Sequence, residues 1–122
     1  MKTLFFDTYA FFEILNKNPA YSEFITDTAV MTTKLNLMEL YYGILKDYGK
    51  ESAGIAFQRF LEFVVDIDDE TIKEAMMFKL HHKARKISYI DAIGYMAAMR
   101  KNVKFLTGDI QFKDMNNVEF VK

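Results

Sequence analysis

The chain has 122 residues, 51% hydrophobic, 16% aromatic and 27% charged, with eight Met and no Cys. Without cysteine it forms neither a disulfide framework nor a thiolate metal site, and no stretch approaches the ~20 uncharged apolar residues of a membrane span. A net charge of −1 and a pI near 6.1 supply no general attraction for nucleic acid, so handling a polyanion requires positive charge provided locally.

Asp7 and Glu13 interrupt the apolar start, which rules out the unbroken core of a signal peptide and leads us to expect a soluble, cytoplasmic protein. The length predicts one domain spanning residues 1–122. Residues 3–6 form an apolar run without polar alternation, as a strand covered on both faces would, and the run stops at Asp7. Residues 8–16 read as a helix broken by Asn18-Pro19; residues 21–27 read as a short helix and 29–32 as a second strand. From 35 to 48 the spacing is helical, with Leu35, Met38, Tyr42 and Leu45 assigned to the inward side and Gly49 as the stop. On that reading Glu39 lies only about 40° from Leu35, a carboxylate on a buried arc. Residues 51–63 predict a further helix, 64–67 a third strand, and 68 to about 86 a long charged helix with Ile72, Ala75, Met76 and Leu80 inward. Ser88 opens a helix to about residue 101. Residues 103–106 then form a fourth strand, and 118–121 a short fifth after the Asn116-Asn117 turn. Strands alternating with helices predict an α/β fold with a mostly parallel sheet of four to five strands.

In such a sheet ligands bind beyond the carboxyl ends of the strands, and Asp7 and Asp109 both stand at such ends. Glu39 follows the second strand on its helix, and Asp91 sits in the first turn of the helix leading to the fourth. Three of these acids have a structural role available. Asp7 is placed to cap the helix it precedes, Ser88-Tyr89-Ile90-Asp91 is a capping box, and Thr107-Gly108-Asp109 is turn chemistry. Glu39 has the weakest structural alternative, because an acid on an apolar stripe needs a partner or a proton. Two unit charges 5 Å apart repel by roughly 3 kcal/mol at an effective dielectric near 20, so a cluster of four requires protons or cations. Oxygen donors without His or Cys favour a hard ion such as Mg²⁺ or Mn²⁺. Such an ion binds phosphodiesters and lowers the pKa of an attacking water, the chemistry of metal-dependent nucleases.

These residues, in this order, resemble the PIN-domain family and most closely its small members, the VapC-type toxins of toxin–antitoxin pairs. The likeness covers nearly the whole chain. It rests on Asp7-Thr8 after the first strand, Glu39 with Gly43 four residues on, Asp91-Ala92 opening a helix that continues to Ala97-Ala98, and Thr107-x-Asp109-x-x-Phe112. The resemblance implies a three-layer α/β/α sandwich and a Mg²⁺- or Mn²⁺-dependent endoribonuclease that cuts RNA with a metal-activated water. It further implies that Asp7, Glu39, Asp91 and Asp109 are the catalytic and metal-site acids, with Thr107 orienting Asp109 or a metal-bound water. A homodimer and a cognate antitoxin protein blocking the groove are the implied partners. Gly94 departs from the bulky apolar residue expected three positions after the third acid.

Adjacent His81-His82 point about 100° apart on a helix and do not share a ligand face; with Lys83, Arg85 and Lys86 they read as a solvated basic face. One member of Phe11-Phe12 and of Tyr41-Tyr42 turns from the core, which suits a dimer or antitoxin contact. Two other functions compete with the nuclease. One is a catalytically inactive module of the same fold that binds protein or RNA, which would be expected to have lost an acid. The other is a phosphoacceptor signalling domain, which expects paired acids after the first strand where Thr8 follows Asp7.

Overall fold

A computed structural model describes residues 1–122. Strands β1 (Lys2–Phe6), β2 (Thr28–Met31), β3 (Lys104–Thr107) and β4 (Val118–Phe120) form one sheet in the order β2-β1-β3-β4, and every neighbouring pair is parallel. The helices are α1 (Thr8–Leu15), α2 (Lys34–Tyr48), α3 (Lys50–Phe60), α4 (Asp69–His81) and α5 (Tyr89–Arg100). Successive strand residues face opposite sides of a sheet, and β1 uses both. Leu4 and Phe6 enter a core with Leu106, Phe11 of α1, Leu37 and Leu40 of α2 and Phe60 of α3. Phe5 enters a second core with Phe105, Ala75 of α4, and Ala92 and Ala98 of α5. Helices cover both faces, so the architecture is the α/β/α sandwich that the resemblance implied.

Gly94 has a packing reason. A Cβ there would lie 3.0 Å from the Phe5 ring and 3.3 Å from Phe105, so the missing side chain lets α5 sit directly on the stacked rings of β1 and β3, whose centroids are 5.6 Å apart.

Four expectations need correction. Residues 64–67 make no strand: Thr32 and Val64 form one isolated parallel bridge, through Thr32 N–H to the Phe63 carbonyl (3.1 Å) and Val65 N–H to the Thr32 carbonyl (2.9 Å). The chain then turns away because Asp68 caps α4, its Oδ1 accepting from the Thr71 N–H at 2.8 Å. Helix α4 ends at His81, not near Lys86, because Arg85 Nη1 donates to the Gln111 carbonyl (2.6 Å) and Lys86 N–H to Gln111 Oε1 (3.1 Å), drawing the segment onto the loop after β3. On α2 the buried stripe is Asn36, Leu37, Leu40 and Ile44, while Met38, Tyr42 and Leu45 are exposed; on α4 Ile72 and Leu80 are exposed although Ala75 is buried. Residues 19–24 form a 3-10 helix, started by Pro19 behind the Asn18 cap, in place of the helix expected over 21–27.

From β1 the chain passes to β2 on one side, then returns through α2 to α5 to place β3 on the other. That reversal makes the carboxyl ends of β1 and β3 a topological switch point, where a crevice opens between the helix layers.

Candidate metal centre

Asp7 begins where β1 ends. Its N–H donates to the Leu106 carbonyl at 3.3 Å, tying it to β3, and its Oδ1 caps α1 by accepting from the Ala10 N–H at 2.8 Å. The residue is 2% exposed. Desolvation pushes its pKa up to about 8; the nearby Asp91 and Asp109 charges add to the rise, while the Thr107 hydroxyl and the Ala10 N–H oppose it. From β3 come Thr107 and Asp109. Thr107 is fully buried, and its Oγ1 accepts from the Asp109 N–H at 3.0 Å; Asp109 Oδ1 in turn accepts from the Gln111 N–H at 3.0 Å. Between them Gly108 has no alternative, because a Cβ would run into the Tyr9 ring and the Val121 carbonyl.

The other layer supplies Asp91, in the first turn of α5. Ser88 Oγ accepts from its N–H at 3.0 Å, and desolvation, then the charges of Glu39 and Asp109, push its pKa up to about 6. Glu39 comes from α2, half-buried at the edge of the apolar stripe. Its partner is Thr8, whose hydroxyl donates to Glu39 Oε1 at 2.6 Å. Gly43, one turn along, leaves the space that the Phe12 ring occupies.

Asp7, Glu39, Asp91 and Asp109 line a single cleft of ≈ 780 Å³. All four acids are therefore brought to one place, while Thr107 stands behind the wall. None of the four forms a salt bridge with Lys or Arg; those bridges lie elsewhere, as between Arg100 and Glu74. Sequence reasoning missed Lys46 and Asp47 at the rim, and the buried chain Thr33–Asn36–Thr8 behind Glu39. The signal available was Asn36, a polar residue on the buried stripe three positions before Glu39. His81 and His82 do not line the cleft. His82 packs its ring on Phe78, with Nδ1 3.0 Å from the Phe78 carbonyl, and His81 is exposed.

The donor set fits a hard divalent cation, being all oxygen and in salt bridges with no Lys or Arg. As the side chains stand, no three acidic or imidazole groups are gathered closely enough to grip one ion.

A parallel sheet covered by helices on both faces, with acids from both helix layers gathered at its switch point, defines an α/β/α fold with an acidic cleft. Within it the PIN-domain model matches residues 4–118, and the chain belongs to the PIN-domain family. No curated protein matches it significantly in sequence. Among solved structures it resembles VapC20 of Mycobacterium tuberculosis, a sarcin-ricin loop cleaving toxin, with a TM-score of 0.81 at 20% identity over 98% of this chain and 99% of that one. A toxin–antitoxin complex from Klebsiella pneumoniae gives a TM-score of 0.76 at 15% identity, covering 95% of both chains. DNA-bound VapBC from Salmonella typhimurium gives 0.74 at 20% identity, covering 99% and 98%. At these identities the likeness establishes the fold.

Proposed function

We propose that the protein is a Mg²⁺- or Mn²⁺-dependent endoribonuclease, acting as a single PIN-like domain and as the toxin of a toxin–antitoxin pair. The observation that carries this reading is the convergence of Asp7, Glu39, Asp91 and Asp109, unpaired with any Lys or Arg, on one cleft of a PIN-family fold.

Those four residues would hold the ion. When bound, such an ion neutralises the cleft, attracts a phosphodiester and lowers the pKa of an attacking water. Asp7, held protonated near neutral pH by its burial, would have to give up that proton to serve as a ligand. Thr107 and the Gln111 N–H fix the loop that carries Asp109. Lys46 is the only Lys or Arg lining the cleft, and its position one turn beyond Gly43 suits a phosphate flanking the scissile one. RNA as substrate is supported by the sarcin-ricin loop cleaving relative of the same fold, and an antitoxin partner by the toxin–antitoxin complexes. Exposed Tyr42, Tyr48 and Ile55 on α2 and α3 offer apolar surface for an antitoxin or a second copy.

The test is cleavage of ribosomal and transfer RNA by wild type in Mg²⁺, Mn²⁺ or EDTA, and by Asp109→Asn. Metal-dependent cutting that the substitution abolishes is expected. Binding of RNA without cutting would favour the inactive module, and activity that persists in EDTA would contradict the mechanism.

A further inference from the structure

Behind Glu39 runs a hydrogen-bonded chain whose direction is fixed at each link. Thr33 caps α2: its Oγ1 accepts from the Asn36 N–H at 3.2 Å, and its hydroxyl donates to Asn36 Oδ1 at 2.6 Å. Asn36 Nδ2 donates to Thr8 Oγ1 at 3.2 Å, and Thr8 donates to Glu39 Oε1 at 2.6 Å. A hydroxyl has one proton to give, so a Thr8 oxygen that accepts from the amide turns its proton to Glu39. Thr33 and Asn36 are wholly buried, and no buried side-chain polar atom in the protein lacks a partner. Packing alone does not call for an amide at position 36, beside Leu37 and Leu40 on the buried stripe. What the amide adds is a fixed acceptor role for one oxygen of Glu39, while Oε2 has no protein partner.

We propose that Thr8, backed by Asn36 and Thr33, is a positioning residue that pins Glu39 as a one-oxygen ligand and so selects an ion of Mg²⁺ size over Ca²⁺. The inference rests on the metal reading above. Ca²⁺ accepts six to eight oxygens in flexible geometry and is often chelated by both oxygens of a carboxylate, whereas Mg²⁺ demands near-ideal octahedral geometry at about 2.0–2.1 Å. A carboxylate free to turn serves either ion. One anchored at Oε1 does not turn freely to set both oxygens on one ion, which suits the smaller ion and penalises the larger.

The probes are MgCl₂ and CaCl₂ alone, titrated by calorimetry and by thermal melting into full-length wild type, Thr8→Val and Thr8→Ser, without RNA. Losing an outer partner of a metal ligand costs about 10- to 100-fold in affinity. Thr8→Val is therefore expected to bind Mg²⁺ at least tenfold more weakly, with Ca²⁺ binding unchanged or tighter, and Thr8→Ser to restore the wild-type preference. If Thr8→Val does not fold, Thr8→Ala carries the same expectation. Equal weakening for both ions, or an unchanged Mg²⁺ to Ca²⁺ ratio, would overturn the proposal while leaving the metal site standing. Failure of wild type to bind either ion would overturn the metal reading and this inference with it.

Discussion

Replacing Asp7 by Asn should stabilise the metal-free protein. The amide keeps a carbonyl to accept from the Ala10 N–H, so the cap on α1 survives, and the ionisable group is removed. Folding raises the Asp7 pKa from 3.8 to about 8, so the folded state holds the proton more tightly than the unfolded chain does. The wild type therefore keeps its full stability below pH 4, where both states are protonated, and loses it progressively as pH rises towards 8. At pH 7 the loss amounts to roughly three pH units at 1.36 kcal/mol each, a ceiling of about 4 kcal/mol. The Asn amide must still fit beside Thr107, which brings the expected gain to about 2–3 kcal/mol, or a melting rise on the order of 10 °C for a chain of this size. Thermal melts of both proteins in EDTA from pH 4 to 9 make the measurement. The difference should be near zero at pH 4, grow through neutrality and level off above pH 8. An Asn variant no more stable than wild type at pH 7, or a gain independent of pH, would refute the idea that desolvation and crowded acids load this carboxyl.

Mg²⁺ should raise the wild-type melting temperature, since a ligand at 100 times its Kd adds about 2.7 kcal/mol, and should leave Asp7→Asn nearly unmoved; parallel melts with and without the ion check both. Gly94→Val should destabilise by about 1–3 kcal/mol, because its side chain meets the Phe5 and Phe105 rings at van der Waals distance or less, a loss that urea unfolding would register. His81→Ala combined with His82→Ala should leave RNA cleavage within about twofold of wild type across pH 5–8, because neither imidazole lines the cleft. A larger fall in cleavage by this double variant would show that a histidine participates.

Strands β1 and β3 were readable because a strand buried on both faces leaves an unbroken apolar run, and they end abruptly at Asp7 and at Thr107-Gly108-Asp109, whereas the apolar run at 64–67 read as a strand and makes only one bridge. Helix α5 was readable for a similar reason, with Ser88 marking its start. Helix α2 was not. Leu35, Leu37, Met38, Leu40, Tyr41, Tyr42, Ile44 and Leu45 spread apolar surface round most of its circumference, so a 3.6-residue period fits more than one stripe. The stripe through Leu35, Met38, Tyr42 and Leu45 places Glu39 on a buried arc; the one that packs, through Leu37, Leu40 and Ile44, leaves it at the boundary. The demand that Glu39 have a partner still held, and Thr8 meets it from another element. Such tertiary links are what sequence spacing does not encode. The same is true of Arg85 on Gln111, which ends α4 early, and of Asn36, whose second contact exists only because α1 packs on α2.

The acids that seemed to need a choice between capping and chemistry need none. Asp7 precedes α1, Asp91 lies in the first turn of α5, and Asp109 precedes the 3-10 turn Ile110–Phe112, so each of these acids stands at the N-terminal end of a helical element, where negative charge is favoured. Two of these ends bind one carboxylate oxygen to the fold, Asp7 Oδ1 to the Ala10 N–H and Asp109 Oδ1 to the Gln111 N–H, as Thr8 binds Glu39 Oε1, while Ser88 caps the third. Capping therefore orients these carboxylates instead of competing for them, and the backbone N–H groups offset part of the repulsion that four acids would otherwise impose on a domain of marginal stability. The remaining deficit of positive charge at the centre, unanswered by any Lys or Arg bridge, is what a divalent ion would fill.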